Sequence, residues 1–190
     1  MNRLKVKIKP EIKKYVWELV HNVDFAKASK DNGTKVQQYQ GIVGECVVRE
    51  MFGLGWVDGK SGCDGGFDFE YKGKKYDVKT MKRKVDVKDS YTNNFIKRQE
   101  NYKVDAYIFC SWNIKKDELT VAGWIRKEKL NRVKRLKPKG TICKNGTDGK
   151  EFPLRFDMYE IDNEHLHFVN CIADMKMQMI GRWDKNSPFY

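Results

Sequence analysis

A chain of 190 residues with 40% hydrophobic and 13% aromatic content has the apolar surface for one core, and its 34% charged fraction comes without the aromatic poverty of disordered chains. Lys and Arg number 38 against 26 Asp and Glu, and the formal charge of +12 points to a polyanionic partner, nucleic acid before an acidic membrane surface. No stretch reaches the roughly 18 apolar residues of a spanning helix, and the basic start Met1-Asn2-Arg3-Leu4-Lys5 lacks an apolar signal core, so one domain over 1–190 in a cytoplasmic, intracellular protein with no membrane partner is expected.

From Pro10 to Lys30 the residues Ile12, Tyr15, Val16, Leu19, Val20, Val23 and Phe25 keep a mostly helical spacing, and Asp31-Asn32-Gly33 ends it. Thr34 is placed to cap a second helix, in which Val36, Tyr39, Val43, Cys46, Val47 and Met51 recur before Gly53, with Glu45 embedded among them. A glycine-rich loop, 53–66, precedes two alternating runs, Phe67 to Tyr71 and Lys75 to Lys79, around Lys72-Gly73-Lys74, which read as a β-hairpin. The polar stretch Tyr91 to Lys103 is expected to be helical. Asp105 to Trp112 and Leu119 to Ile125 are expected strands.

Arg126 to Lys139 is strongly basic, and 140–149 is expected to be a surface loop. Tyr159 to Ile161 and His165 to Val169 fit short strands, while the methionines at 175, 177 and 179 fit neither period. Five cysteines without a C-x-x-C pair are expected to be reduced thiols. A zinc site joining His165 and His167 to Cys143 or Cys171 is weaker than the bland reading of histidines alternating on an exposed strand face.

A D-x-K match alone carries little here, because Asp58, Asp86, Asp148 and Asp174 each begin one as well as Asp77. Context separates them. On a strand, Asp77 and Lys79 share one face; a turn at Lys72-Gly73 sets Asp68 opposite Asp77, and a turn one residue later sets it opposite Lys79. Either register gathers two carboxylates and an ammonium into one patch, expected to be open and hydrated. Phosphodiester hydrolysis needs such groups: oxygen ligands for Mg²⁺ or Mn²⁺ and a cation beside the attacking water. The bland alternative is a surface hairpin of weak cross-strand ion pairs.

Gly41-Ile-Val-Gly44-Glu45, then Asp64-Gly-Gly-Phe-Asp68, then Asp77-Val-Lys79-Thr80 resemble the helix glutamate, first-strand aspartate and D-x-K of PD-(D/E)XK nucleases, over about residues 34–125. The resemblance implies an α/β fold with a restriction-endonuclease-like mixed β-sheet flanked by helices. It implies a Mg²⁺-dependent nuclease acting on DNA, in which Asp68 and Asp77 bind the metal, Lys79 is catalytic, and Glu45 adds a ligand or holds a metal-bound water. Gln99 is similar to a polar residue that some members place near the site. No proline precedes Asp68, Asp64 competes with it for the first aspartate, Glu70 shares its face, and Glu45 has Arg49 at i+4 as an alternative surface partner.

Phosphate contacts are expected from Lys82, Arg83, Lys84, Arg98, Arg132, Lys134 and Arg135, with Lys97, Arg126, Lys127, Lys137 and Lys139 nearby. Tyr91, Trp112 and Trp124 are either base-stacking or core. RNA is the alternative substrate, and a non-catalytic nucleic-acid-binding module is the alternative function. A homodimer is an open oligomeric state, and the compartment is that of a host cell if a mobile element encodes the chain.

Overall fold

The computed structural model describes residues 2–23, 34–59, 66–144 and 149–181. Strand β1 (Lys5–Lys7) leads into helix α1 (Pro10–Asn22), where Pro10 sits in the first turn and its missing N–H costs no helical hydrogen bond. Helix α2 (Lys35–Met51) opens on a capping box: Thr34 Oγ1 accepts from the Gln37 N–H, and the Gln37 side chain accepts from the Thr34 N–H. The buried faces, Ile12, Val16 and Val20 on α1 and Val43, Cys46 and Val47 on α2, keep the helical spacing of the sequence.

The hairpin is formed by β2 (Phe69–Tyr71) and β3 (Lys74–Arg83), and the strands after it are β4 (Thr92–Ile96), β5 (Ala106–Asn113) and β6 (Glu118–Arg126). A five-stranded sheet runs β1-β6-β5-β3-β2; β3 and β5 are parallel and the other pairs antiparallel, so the sheet is mixed. All eight residues of β5 are buried because both faces are covered. Ala106, Ile108, Cys110 and Trp112 join the core under α1 and α2; Tyr107 and Phe109 join a second core on the other face. A bulge in β6 inserts Ala122 where Phe109 and Cys110 face Gly123 and Val121, and the parity change turns Trp124 to the helix side.

Helix α3 (Lys127–Val133), β7 (Arg135–Lys137), a hairpin of β8 (Ile142–Lys144) and β9 (Glu151–Pro153), β10 (Met158–Asp162) and helix α4 (Ile172–Gly181) complete the chain. A second sheet, ordered β4-β10-β7, contributes Phe95 and Ile161 to the second core, and Met175 and Met179 of α4 close the first. The class is α/β with a mixed sheet, as expected, but helices α1 and α2 cover one face and a small sheet the other. Among the described residues, no helix is long and apolar enough to cross a membrane.

Several expected elements differ. Helix α1 ends at Asn22, and Val23 is already extended inside the run expected to reach Lys30. The stretch expected to be helical at 91–103 is strand β4 followed by a 3₁₀ turn, Lys97–Asn101. Tertiary contacts override its polar composition: Asn93 is buried and donates through Nδ2 to Asn163 Oδ1 at 2.8 Å, and Phe95 is buried beside Tyr107. The segment 165–169 forms a single bridge, Trp124 to His167, rather than a strand, and the methionine-rich segment is α4. The loop expected at 140–149 includes β8, while the chain beyond Val23 in the first helical run, the turn Asp31-Asn32-Gly33, Asp64 and Cys63 lie outside the described residues. The other four cysteines are free thiols.

Candidate active site

Lys72 and Gly73, with φ of 51° and 71°, form a tight turn of the kind that joins two-residue hairpins. It selects the first of the two registers: Phe69 faces Tyr76, Glu70 faces Lys75, and one step further Asp68 comes opposite Asp77. The Asp68 N–H donates to the Tyr76 carbonyl at 2.8 Å, and Asp68 Oδ2 accepts from the Val78 N–H at 2.6 Å. Tyr76 and Val78 enter the helix-side core, which leaves Asp77 and Lys79 on the opposite face of β3. There Lys79 Nζ lies 2.7 Å from Asp77 Oδ1.

Glu45 reaches the same cluster because α2 lies unusually close to β3. A Cβ on Gly44 would sit 1.9 Å from Thr80 Oγ1, so only glycine permits that approach. Arg49, one turn along, donates Nη1 to the Asp68 carbonyl at 2.8 Å and Nε to the Gly55 carbonyl at 2.7 Å, with Nη1 3.6 Å from Glu45 Oε1. The expected pair between Glu45 and Arg49 therefore exists, yet it is no surface pair: the Glu45 side chain is 14% exposed.

The centre is more enclosed than the expected open and hydrated site: Asp77 is 2% exposed beside Tyr107 and the second core, while Asp68, Lys79 and Glu45 are half-buried. Burial, reinforced by the Asp77 charge, pushes Asp68 up to about 7 against the opposing pull of Lys79, the Val78 N–H and Arg49. Burial raises Asp77 despite Lys79. Glu45 stands well above the usual carboxylate range through burial and through Asp68. Burial pulls the Lys79 ammonium down, but Asp77 and Asp68 outweigh it and hold the group above its ordinary value.

Three carboxylates thus face two cations, Lys79 and Arg49. All the acidic donors are hard oxygens, a set suited to Mg²⁺ or Mn²⁺ rather than to zinc. Among the described residues, the one group of three ligand side chains mutually within 4.8 Å is elsewhere, Asp162, Glu164 and His165. There Asp162 is held by both terminal nitrogens of Arg135, and no cysteine joins it. Glu45 and the two aspartates do not form so tight a group, although both aspartate charges act on Glu45.

Lys79 opens onto a cleft of about 570 Å³ between the first turns of α2 and the strand and turn β4–Gln99, floored by residues 78–82 of β3. No protein-family model, curated protein or solved structure matches the chain.

Of the expected phosphate contacts, Lys82 and Arg98 line this cleft, as does Gln99, the polar residue expected near the site. Lys84 is exposed beyond the end of β3. Arg83 is corrected: it turns inward, donating to the Thr92 carbonyl at 2.8 Å with its guanidinium 4.6 Å from the Tyr91 ring centroid. Lys134 is corrected too, since its side chain is 7% exposed, bound to Glu100 and set over the Tyr159 ring. Arg132 and Arg135 are exposed but paired with Glu128 and Asp162. Trp112 and Trp124 are core residues, and Glu70 points to solvent. The amides Gln37, Gln38 and Gln40 along the cleft are absent from the sequence expectation; their helical spacing ahead of Gly44 was the available signal.

Proposed function

We propose that the protein is a Mg²⁺- or Mn²⁺-dependent nuclease of the PD-(D/E)XK type that hydrolyses DNA phosphodiester bonds, an endonuclease in which Asp68, Asp77, Lys79 and Glu45 form the centre. The observation that carries this reading is the cluster itself: a half-buried Asp68 facing a fully buried Asp77 across a hairpin, with a lysine ammonium 2.7 Å from Asp77. Weak surface ion pairs do not account for it, because a solvated hairpin would leave these groups exposed and at ordinary pKa values. Structural ion pairs also perturb pKa values, but this lysine opens onto a cleft that also carries Lys82 and Arg98.

Asp68 and Asp77 would hold the cation, with Glu45 adding a further ligand. A bound divalent ion supplies Lewis acidity at the phosphate and lowers the pKa of a coordinated water. Lys79, kept charged by the two aspartates, donates a hydrogen bond to the attacking water or to a phosphate oxygen as negative charge builds there. In the reaction the water oxygen forms the new bond to phosphorus, the bond to one sugar oxygen breaks, the water gives up a proton and the leaving oxygen gains one. Arg49 fixes the backbone of Asp68 against α2 and so positions its carboxylate.

The restriction-endonuclease-like fold belongs to the same proposal. The mixed sheet, the helix bearing Glu45 and the hairpin bearing the D-x-K support it, while β4 in the crossover between the parallel strands β3 and β5 departs from a sheet flanked by helices. Incubation with linear, circular and single-stranded DNA and with RNA, each with Mg²⁺, Mn²⁺ and chelator, tests the function. Metal-dependent cleavage of DNA is expected; binding without cleavage under every condition would leave a nucleic-acid-binding module instead.

A further inference from the structure

The cleft beside Lys79 is lined mainly by neutral amides and apolar surface. Gln38 and Gln40 come from α2, Asn94 from β4, and Tyr102 from beyond the 3₁₀ turn, with Lys82 and Arg98 as further lining groups. The side chains of Gln38, Gln40 and Asn94 are half-buried along the wall of the cleft. An amide offers both donors and an acceptor, so beyond donating to a phosphate it can match the mixed donor and acceptor pattern of a base edge. A volume of about 570 Å³ falls in the size range of small-ligand sites, and an unstacked nucleotide fits it where a duplex does not. Lys82 and Arg98 supply charge for the flanking phosphates.

We propose that this cleft receives one unpaired base next to the scissile phosphate, so that the substrate is nucleic acid carrying an unpaired nucleotide, such as a tail or a bulge, rather than continuous duplex. This rests on the nuclease reading for its place beside a scissile bond. The base enters edge-first against Gln40 and Asn94, and its face lies along the apolar part of the wall. Proteins that act on unpaired nucleotides use the same combination of base-edge hydrogen bonds, stacking surface and cationic rim.

The test is equilibrium binding in chelator, where no metal-dependent cleavage occurs, to a blunt duplex, the same duplex with a short single-stranded tail, and the tailed duplex with its first unpaired base removed. The tailed duplex should bind about tenfold tighter than the blunt one, and removal of the base should cancel most of that gain, as expected for loss of one base contact. The pair Gln40→Ala and Asn94→Ala should lose the same gain while binding the abasic duplex as the wild type does. Equal binding of the blunt and tailed duplexes, or of the intact and abasic tails, would overturn the proposal. Both comparisons use the wild-type protein, so they do not depend on how well the variant folds. Cleavage of the tailed duplex with Mg²⁺, measured in parallel, reports separately on the nuclease reading.

Discussion

Asp68 is a carboxyl whose folded-state pKa, about 7, lies above its ordinary value because it is buried beside Asp77. Such a group favours the fold when protonated, so its contribution is complete below about pH 4 and is lost as the pH rises toward 7. In thermal melts of metal-free protein, Asp68→Asn should therefore flatten the fall in Tm across that window relative to wild type. Parallel curves for the two proteins would contradict the enclosed carboxylate pair. A divalent cation competes with those protons, so Mg²⁺ should raise Tm more near pH 8 than near pH 5 in the wild type. The cluster was legible in the sequence because a strand's period of two fixes which residues share a face. The enclosure was not, since it comes from Tyr107 and a second core contributed by strands distant in sequence.

At the scale of the element, α2 carries both Glu45 and the glycine that lets it approach β3. Gly44→Ala would force a Cβ into Thr80 and should cost about 1–3 kcal/mol of stability, as overpacking of a tight contact does. It should also raise the Mg²⁺ concentration for half-maximal cleavage, because Glu45 moves with the helix; Thr80→Ala in the same chain should recover part of both losses. Denaturant unfolding and metal titration check this, and a Gly44→Ala protein matching wild type in both would show that the helix contact does not set the site. The buried faces of α1 and α2 and the start of α2 were readable because periodicity and a capping residue such as Thr34 are local signals, whereas the end of α1 at Asn22 was not, since the apolar spacing continues past it. Strand β4 was unreadable because the Asn93 amide, which makes it look polar and helical, donates to Asn163 seventy positions away.

Across the whole molecule, a charge of +12 had suggested that the basic run after β6 grips the substrate. The fold redistributes that charge: Lys134 is bound to Glu100, Arg135 to Asp162, and β7 lies at the edge of the second sheet opposite β4. With strands about 4.8 Å apart, Arg135 is separated from the β4 side of the cleft by about a Debye length at physiological salt. Lys82→Ala should lower the slope of log affinity against log salt by about 0.7 to 0.9 on a tailed duplex, while Arg132→Ala should leave it unchanged. The reverse pattern would move the binding surface to α3 and β7. Charge runs were legible in the sequence and their partners were not, since pairing such as that of Lys134 with Glu100 is made only by the fold. The account stands on one matched comparison: Mg²⁺-dependent cleavage by the wild type, Asp77→Asn and Lys79→Met, with binding in chelator measured on the same DNA. It predicts that the wild type cuts, that both variants lose ~10²-fold or more of the rate, and that both still bind. Variants that bind DNA and cut it at the wild-type rate would contradict it.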